Sequence, residues 1–257
     1  MMLKGKKGII FGIANDHSIA WGIANKLSSY GAELVITYQN DVLLKRVKPL
    51  SEKLNSKLLL ECDFSKKNSI KNCFDTINTT WNNIDFVVHA AAYSDKKELD
   101  GNYINTTKNN FINTLNISCY SFTEIAKFAS KMMLNGGSLL TLSFYGANKV
   151  MPNYNVMGIA KAALETSVKY LSVDLGDKNI RVNAISAGPM RTLAGAAIAN
   201  AREVYKYTEQ NSPLKRNVML EELGNTATYF VSDLSKSISG EIHYVDCGFN
   251  ILGMPQY

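Results

Sequence analysis

No stretch of this chain approaches the ~18 consecutive apolar residues of a membrane span, so a transmembrane reading is excluded. The start, MMLKGKKGIIFGIA, has the basic-then-apolar order of a signal peptide, but Asn15-Asp16-His17 cut the apolar part short. A first β-strand is the better reading. Cysteine is scarce and scattered, at Cys62, Cys73, Cys119 and Cys247, with no C-x-x-C. That scatter fits buried thiols in a reducing, cytoplasmic setting. Three separated histidines without H-E-x-x-H argue against a metal site. There is also no Pro- or Ser-rich linker, low-complexity run or short repeat, so one domain over residues 1–257 is expected.

What is present is an ordinary globular composition, 46% hydrophobic and 19% charged, with a net charge of +6. The basic residues are spread out and no nucleic-acid-binding motif accompanies them, so an acidic protein partner fits the charge better than nucleic acid. Short apolar runs at 8–11, 33–37, 58–61, 86–89, 138–143, 181–186 and 242–245 alternate with amphipathic stretches of helical period. Runs that are apolar almost throughout suit strands covered on both faces. The alternation predicts an α/β fold: a single-domain, Rossmann-like, doubly wound parallel sheet of about seven strands. Ligands of such sheets sit beyond the C-terminal strand ends, so the residues just after each run are the ones to read.

After the first run comes GIANDHSIAWGIA. Gly12 ends the strand, Ser18 is placed to cap a helix, and the helix start favours a pyrophosphate. The spacing is not G-x-G-x-x-G. Gln39, after the second run, suits a ribose or adenine, and no base immediately follows it; that leans toward NADH. Asp63 and Phe64 after the third run suit an adenine amino group and its ring. His89-Ala90-Ala91-Ala92 after the fourth is small enough for a cofactor to pass the backbone, with His89 read as a satisfied strand-end residue. Ser143 ends the fifth run. After the sixth, Gly188-Pro189 turns the chain into an Ala- and Gly-rich stretch that reads as a mobile cover.

Residues 153–176, NYNVMGIAKAALETSVKYLSVDLG, read as one long helix with Gly176 as its stop. Tyr154 and Lys161 lie seven residues apart, ~10.5 Å of rise and nearly two turns, so they share a face. An ammonium beside a phenol favours the phenolate and strengthens the hydroxyl as a donor to a developing oxyanion. The spacing alone is not diagnostic, because it also occurs at Tyr38/Lys45, Tyr120/Lys127 and Tyr229/Lys236. Only the position of Tyr154, eleven residues after Ser143, puts it over the same sheet edge as the other loops.

Together GIANDHSIAWGIA, TYQND, CDF, PNYNVMGIAKAALE and RVNAISAGPMRTLA resemble bacterial NADH-type enoyl-acyl-carrier-protein reductase, a divergent branch of the short-chain dehydrogenase/reductase superfamily. The similarity runs through the GEIHYVDCGFNI ending. It implies reduction of trans-2-enoyl thioesters in fatty acid biosynthesis by a cytoplasmic homotetramer that meets an acidic carrier protein. By resemblance, Tyr154 donates to the thioester carbonyl and Lys161 holds the nicotinamide ribose. Gly12, Ser18 and Ile19 line the pyrophosphate and ribose; Gln39, Asp63 and Phe64 surround the adenosine. Ala91 faces the cofactor and Ser94 the substrate. Met190, Arg191, Thr192, Leu193 and Ala194 pass along the nicotinamide and begin a cover over about 190–210, where Arg202 is a candidate carrier contact. Ketone reductases of the superfamily use Tyr-x3-Lys. Hydride delivery to a β-carbon asks for a donor farther along, which Tyr-x6-Lys provides. Two positions depart from the pattern. Phe144, on the substrate side, stands where the family usually has tyrosine, with Tyr145 beside it, and His89-Ala90-Ala91 replaces His-Ser-Ile. Another carbonyl reductase of the superfamily, or a low-activity cofactor-binding paralogue with a regulatory role, are the competing readings.

Overall fold

The computed structural model describes residues 1–193, 195 and 198–254. Its strands are β1 (Lys7–Phe11), β2 (Glu33–Tyr38), β3 (Leu58–Glu61), β4 (Phe86–His89), β5 (Gly137–Phe144), β6 (Ile180–Ala187) and β7 (Ile242–Val245). They form one sheet in the order β3-β2-β1-β4-β5-β6-β7, parallel at every junction. Each of the seven apolar runs is a strand. Four of them extend by a residue at one or both ends, because ladder pairing continues past the last apolar side chain. Lys7, for example, pairs with Glu33, and its amide also donates to Asp85 Oδ2 at 2.8 Å.

The helices are α1 (Ile19–Ser29), α2 (Asp41–Lys53), α3 (Ser69–Thr80), α4 (Lys96–Leu99), α5 (Lys108–Leu115), α6 (Ser121–Met132), α7 (Asn155–Gly176), α8 (Ala201–Asn211) and α9 (Leu220–Val231). Successive strand residues point to opposite faces, and both faces are covered. Ile9, Phe11, Val87, Leu139 and Val182 pack under α3, α6 and α7. Ile10, Ile36, Val88, Leu140 and Ile185 pack under α1 and α9. Burial of each such side chain contributes roughly 1.5–3 kcal/mol. Close approach of α1 to α9 needs glycine: a Cβ on Gly22 would lie 2.8 Å from the Leu220 Cβ, and one on Gly224 would lie 2.9 Å from the Gly22 carbonyl oxygen. Gly22 thus serves helix packing.

Two sequence expectations for the long helix are corrected. It begins at Asn155, with Tyr154 as its N-cap residue, and Gly176 lies inside its last turn. The chain turns on through Lys178 and Asn179, whose amides reach the Leu175 and Gly176 carbonyls at 3.1 and 2.8 Å. The left-handed residue is Asn179, φ 54°, a position asparagine tolerates almost as glycine does.

The strand order reverses between β1 and β4, so their C-terminal ends diverge into a crevice. β5 and β6, each of eight residues, carry Phe144 and Ala187 to the same edge.

Candidate active site

The crevice opens as a cavity of about 1280 Å³ at the C-terminal sheet edge. Its floor is bare backbone. Gly12 has φ 102°, and a Cβ there would lie 2.3 Å from the Ala90 carbonyl oxygen. With Ala90 and Ala91 across from it, the groove admits a long, flat dinucleotide against the main chain. Ser18 and Ile19 also line it. Ser18 is the N-cap residue of α1, but its side chain makes no cap bond to the helix. Its Oγ instead accepts from the Ala14 and Asn15 amides at 3.0 and 3.1 Å, folding the loop back on itself.

Tyr154 and Lys161 both line the cavity and both are buried. The other Tyr-x6-Lys pairs have exposed lysines at Lys45, Lys127 and Lys236. Two asparagines in left-handed backbone, Asn153 (φ 58°) and Asn155 (φ 37°), hold the turn that presents Tyr154. The Asn155 amide donates to the Glu98, Leu99 and Gly101 carbonyls at 3.1–3.3 Å, and Asn153 donates to Ala199 O at 3.2 Å. The Tyr154 ring meets Phe144 edge-on at 5.1 Å. Among the described residues no hydrogen bond involves its hydroxyl, which is free for a ligand. Lys161 Nζ donates to the Leu142 carbonyl at 2.7 Å.

The phenolate expectation is reversed. Burial, and then the Glu165 charge, raise the Tyr154 phenol well above its ordinary value, so it is a neutral donor. Burial pushes the Lys161 ammonium down to about 8, against the opposing influence of Cys119 and Glu165.

The loop after β4 is pinned from three sides. His89 is buried and pushed down to about 3, by desolvation first and by the Lys161 charge second. Its Nδ1 lies 2.8 Å from Thr141 Oγ1 and its Nε2 2.9 Å from Ser121 Oγ. The two hydroxyls also donate to backbone, Ser121 Oγ to the Ile117 carbonyl at 2.7 Å and Thr141 Oγ1 to the His89 carbonyl at 3.2 Å, so both ring nitrogens sit in a closed polar network. His89 is therefore a satisfied strand-end residue. Residues 116–120 join α5 to α6 in a turn of π spacing, a feature frequent at functional sites. Here Ser118 Oγ accepts from the Tyr93 amide at 2.9 Å and donates to its carbonyl at 3.1 Å. Asn110 Oδ1 accepts from the Asp95 amide at 3.0 Å, and its amide nitrogen donates to Ser94 Oγ at 3.1 Å.

Most of the sequence-derived residues come together here. Ala91, Ser94, Phe144, Met190, Arg191, Thr192 and Leu193 all line the cavity, as do Arg202 and Lys206 of α8. Thr192 Oγ1 accepts from the Gly195 amide at 2.9 Å, and the Arg191 guanidinium lies 4.4 Å over the Tyr205 ring. Ala194 lies outside the described residues. Gln39, Asp63 and Phe64 cluster apart from this cavity. Gln39 Nε2 lies 3.5 Å from Asp63 Oδ1, which also accepts from the Ser65 amide and hydroxyl at 2.9 and 2.7 Å. The Phe64 ring packs on Phe11 and His89, both at 5.7 Å. Tyr145 turns to Phe249 at 5.4 Å and brings no hydroxyl to the cavity lining. Sequence reasoning missed Asn110, Ser118, Asn153, Asn155 and Glu165. The asparagines flanking Tyr154 were the one available signal, since asparagine is enriched where a helix must start from left-handed backbone.

A profile of the family described as enoyl-(acyl carrier protein) reductase matches residues 12–250. Enoyl-[acyl-carrier-protein] reductase [NADH] 2 of Rhizobium meliloti is 56% identical over 254 residues, 99% of this chain and 95% of that protein. Enoyl-[acyl-carrier-protein] reductase [NADH] FabI of Rickettsia typhi is 53% identical over 98% of this chain and 97% of its own. Two crystal structures superpose with the whole fold. The Anaplasma phagocytophilum reductase in complex with NAD has a TM-score of 0.96 at 52% identity, covering 100% of this chain and 98% of that one. FabI from Candidatus Liberibacter asiaticus has 0.97 at 52% identity, covering 99% of each. With the profile and full-length identities of this size, the chain belongs to the enoyl-(acyl carrier protein) reductase family.

Proposed function

We infer that this chain reduces trans-2-enoyl thioesters of acyl-carrier protein to saturated acyl thioesters in fatty acid biosynthesis, with NADH as reductant. The observation that carries the reading is a buried phenol, Tyr154, and a buried lysine, Lys161, in one cavity at the switch point of the sheet. The [NADH] in the relatives' names supports the reductant. So does Gln39, which offers no charge to a 2′-phosphate.

When bound, the reduced nicotinamide supplies hydride for the β-carbon. Gly12, Ser18 and Ile19 hold the pyrophosphate and ribose, Gln39, Asp63 and Phe64 the adenosine, and Lys161 the nicotinamide ribose hydroxyls. Ala91 and the Met190–Leu193 segment would flank the nicotinamide, and the chain from Met190 would begin the substrate-binding cover of about 190–210. Ser94 and Phe144 shape the substrate side. Tyr154 donates its hydrogen bond to the thioester carbonyl oxygen. That bond strengthens as negative charge builds there, the condition under which a donor lowers a barrier. Lys161 adds positive charge beside it, and proton uptake at the α-carbon completes the saturated chain.

The exposed cations lining the cavity, Lys96, Arg191, Arg202 and Lys206, outnumber the exposed acids Asp95 and Glu209. This supports approach of an acidic carrier protein. Exposed apolar side chains on α5–α6 (Ile112, Tyr120) and on α7 (Ile159, Tyr170, Val173) support a homotetramer. The sharing of one sheet by all seven strands supports a single domain, and four free thiols support the cytoplasm.

Phe144 favours one second reading, a paralogue of low turnover, because its ring brings no second hydroxyl to the substrate side. The test is loss of the NADH absorbance band with a crotonyl thioester and with an acetoacetyl thioester. Consumption with the crotonyl substrate alone is expected. Consumption only with acetoacetyl would establish a carbonyl reductase instead, and cofactor binding without consumption would select the paralogue.

A further inference from the structure

Glu165 has no part in the chemistry described so far. It lies four residues, one helical turn, beyond Lys161 on α7 and is buried. One carboxylate oxygen accepts from Ser143 Oγ at 2.5 Å and the other from Asn148 Nδ2 at 3.0 Å. The Asn148 amide also donates to the Tyr244 hydroxyl at 3.0 Å. Both partners of the carboxylate are neutral, and among the described residues no ion pair includes Glu165. A buried carboxylate held only by neutral donors is costly unless a cation lies near.

Lys161 is that cation. It is anchored on β5 to the Leu142 carbonyl, and Glu165 is anchored to the side chain of the very next residue, Ser143. Two buried charged side chains of α7 thus grip adjacent residues at the end of β5, directly before Phe144. The other groups that face Lys161 are His89 and Cys119, of which Cys119 also favours the ammonium. His89, from β4, is held neutral by burial, and Cys119, from the π-spaced turn, has its thiol pushed up by burial.

We propose that Glu165 is a positioning residue for the reaction. Its carboxylate keeps the buried Lys161 ammonium charged and fixes α7 to the end of β5 beneath the substrate side. The proposal rests on Lys161 serving the reduction described above. A titration of the cofactor-free protein reads the lysine charge whether or not that reaction occurs, so the two can fail separately.

The experiment is a ¹³C NMR pH titration of the full chain with ¹³Cε-labelled lysine, the Lys161 signal being identified by its loss in Lys161→Arg. The wild-type midpoint is expected at about 8. In Glu165→Gln, of nearly equal volume, it falls by about one to three pH units, the usual influence of an opposite charge at close range. The high-pH side of the kcat/KM profile becomes correspondingly weaker, about tenfold per unit. In Glu165→Asp, which keeps a carboxylate on the same helix face, the midpoint stays within about half a unit of wild type. An unmoved midpoint in Glu165→Gln, or equal falls in both variants, would overturn the proposal. If Glu165→Gln does not fold, Glu165→Asp decides. A midpoint held near wild type supports the proposal; a fall of about one unit or more despite the retained charge overturns it.

Discussion

At the scale of single residues, the division of labour turns on which side chains reach the substrate with a hydroxyl. Phe144 packs edge-on against Tyr154 and presents only carbon, and Tyr145 is committed to Phe249. In the proposed mechanism one phenol, Tyr154, therefore carries the oxyanion contact. Restoring a second by Phe144→Tyr is expected to leave kcat/KM for a crotonyl thioester within about threefold, since an essential donor would change it by roughly 10²–10³. A gain of tenfold or more in steady-state rates would mean that Tyr154 lacks a partner it needs. Gly12 is as constrained as any catalytic group. Its left-handed backbone and the 2.3 Å approach of a hypothetical Cβ to Ala90 make Gly12→Ala destabilising by about 3 kcal/mol. Chemical denaturation, together with NADH titration of whatever remains folded, checks this.

At the scale of elements, β4 and the α5–α6 pair behave as one unit because His89, Ser118 and Asn110 tie the strand end and its loop to the helices. His89 makes that unit acid-sensitive. Its folded value, about 3, lies below the ordinary 6.5. Between those values the unfolded chain takes up a proton that the native state refuses. Native stability therefore falls as pH drops from 6.5 toward 3, by up to ~1.4 kcal/mol per unit. Urea midpoints measured from pH 7 to pH 4 are expected to fall less steeply for His89→Gln than for wild type; parallel slopes would mean the imidazole is protonated in the fold. The elements are also where the sequence was most readable. Strands covered on both faces announce themselves as apolar runs, and their parallel order follows from the helices between them. The candidate site was legible in the loops after those runs and in the PNYNVMG stretch that leads into α7. Polar contacts between distant segments were not: Ser118 with Tyr93, Asn110 with Ser94, Glu165 with Ser143. Such bonds depend on the third dimension and leave no period in the chain. The direction of the Tyr154 shift was missed for the same reason, since spacing reports a nearby cation but not the burial that outweighs it.

At the scale of the whole molecule, the proposed acidic carrier gives the net charge of +6 and the exposed bases around the cavity a role in encounter more than in chemistry. Salt should raise KM for a crotonyl thioester on acyl-carrier protein while barely changing it for the uncharged N-acetylcysteamine thioester. Arg202→Glu should raise the first about tenfold and leave the second within about twofold. Equal effects on both substrates would place Arg202 in the pocket chemistry rather than in steering. The measurement closest to the centre of the account is kcat/KM of Tyr154→Phe with a crotonyl thioester, alongside its NADH affinity. A fall of about 10²–10³ with unchanged cofactor binding is expected when a single oxyanion donor is removed. Activity within a few-fold of wild type would take the reaction away from Tyr154 and contradict the mechanism.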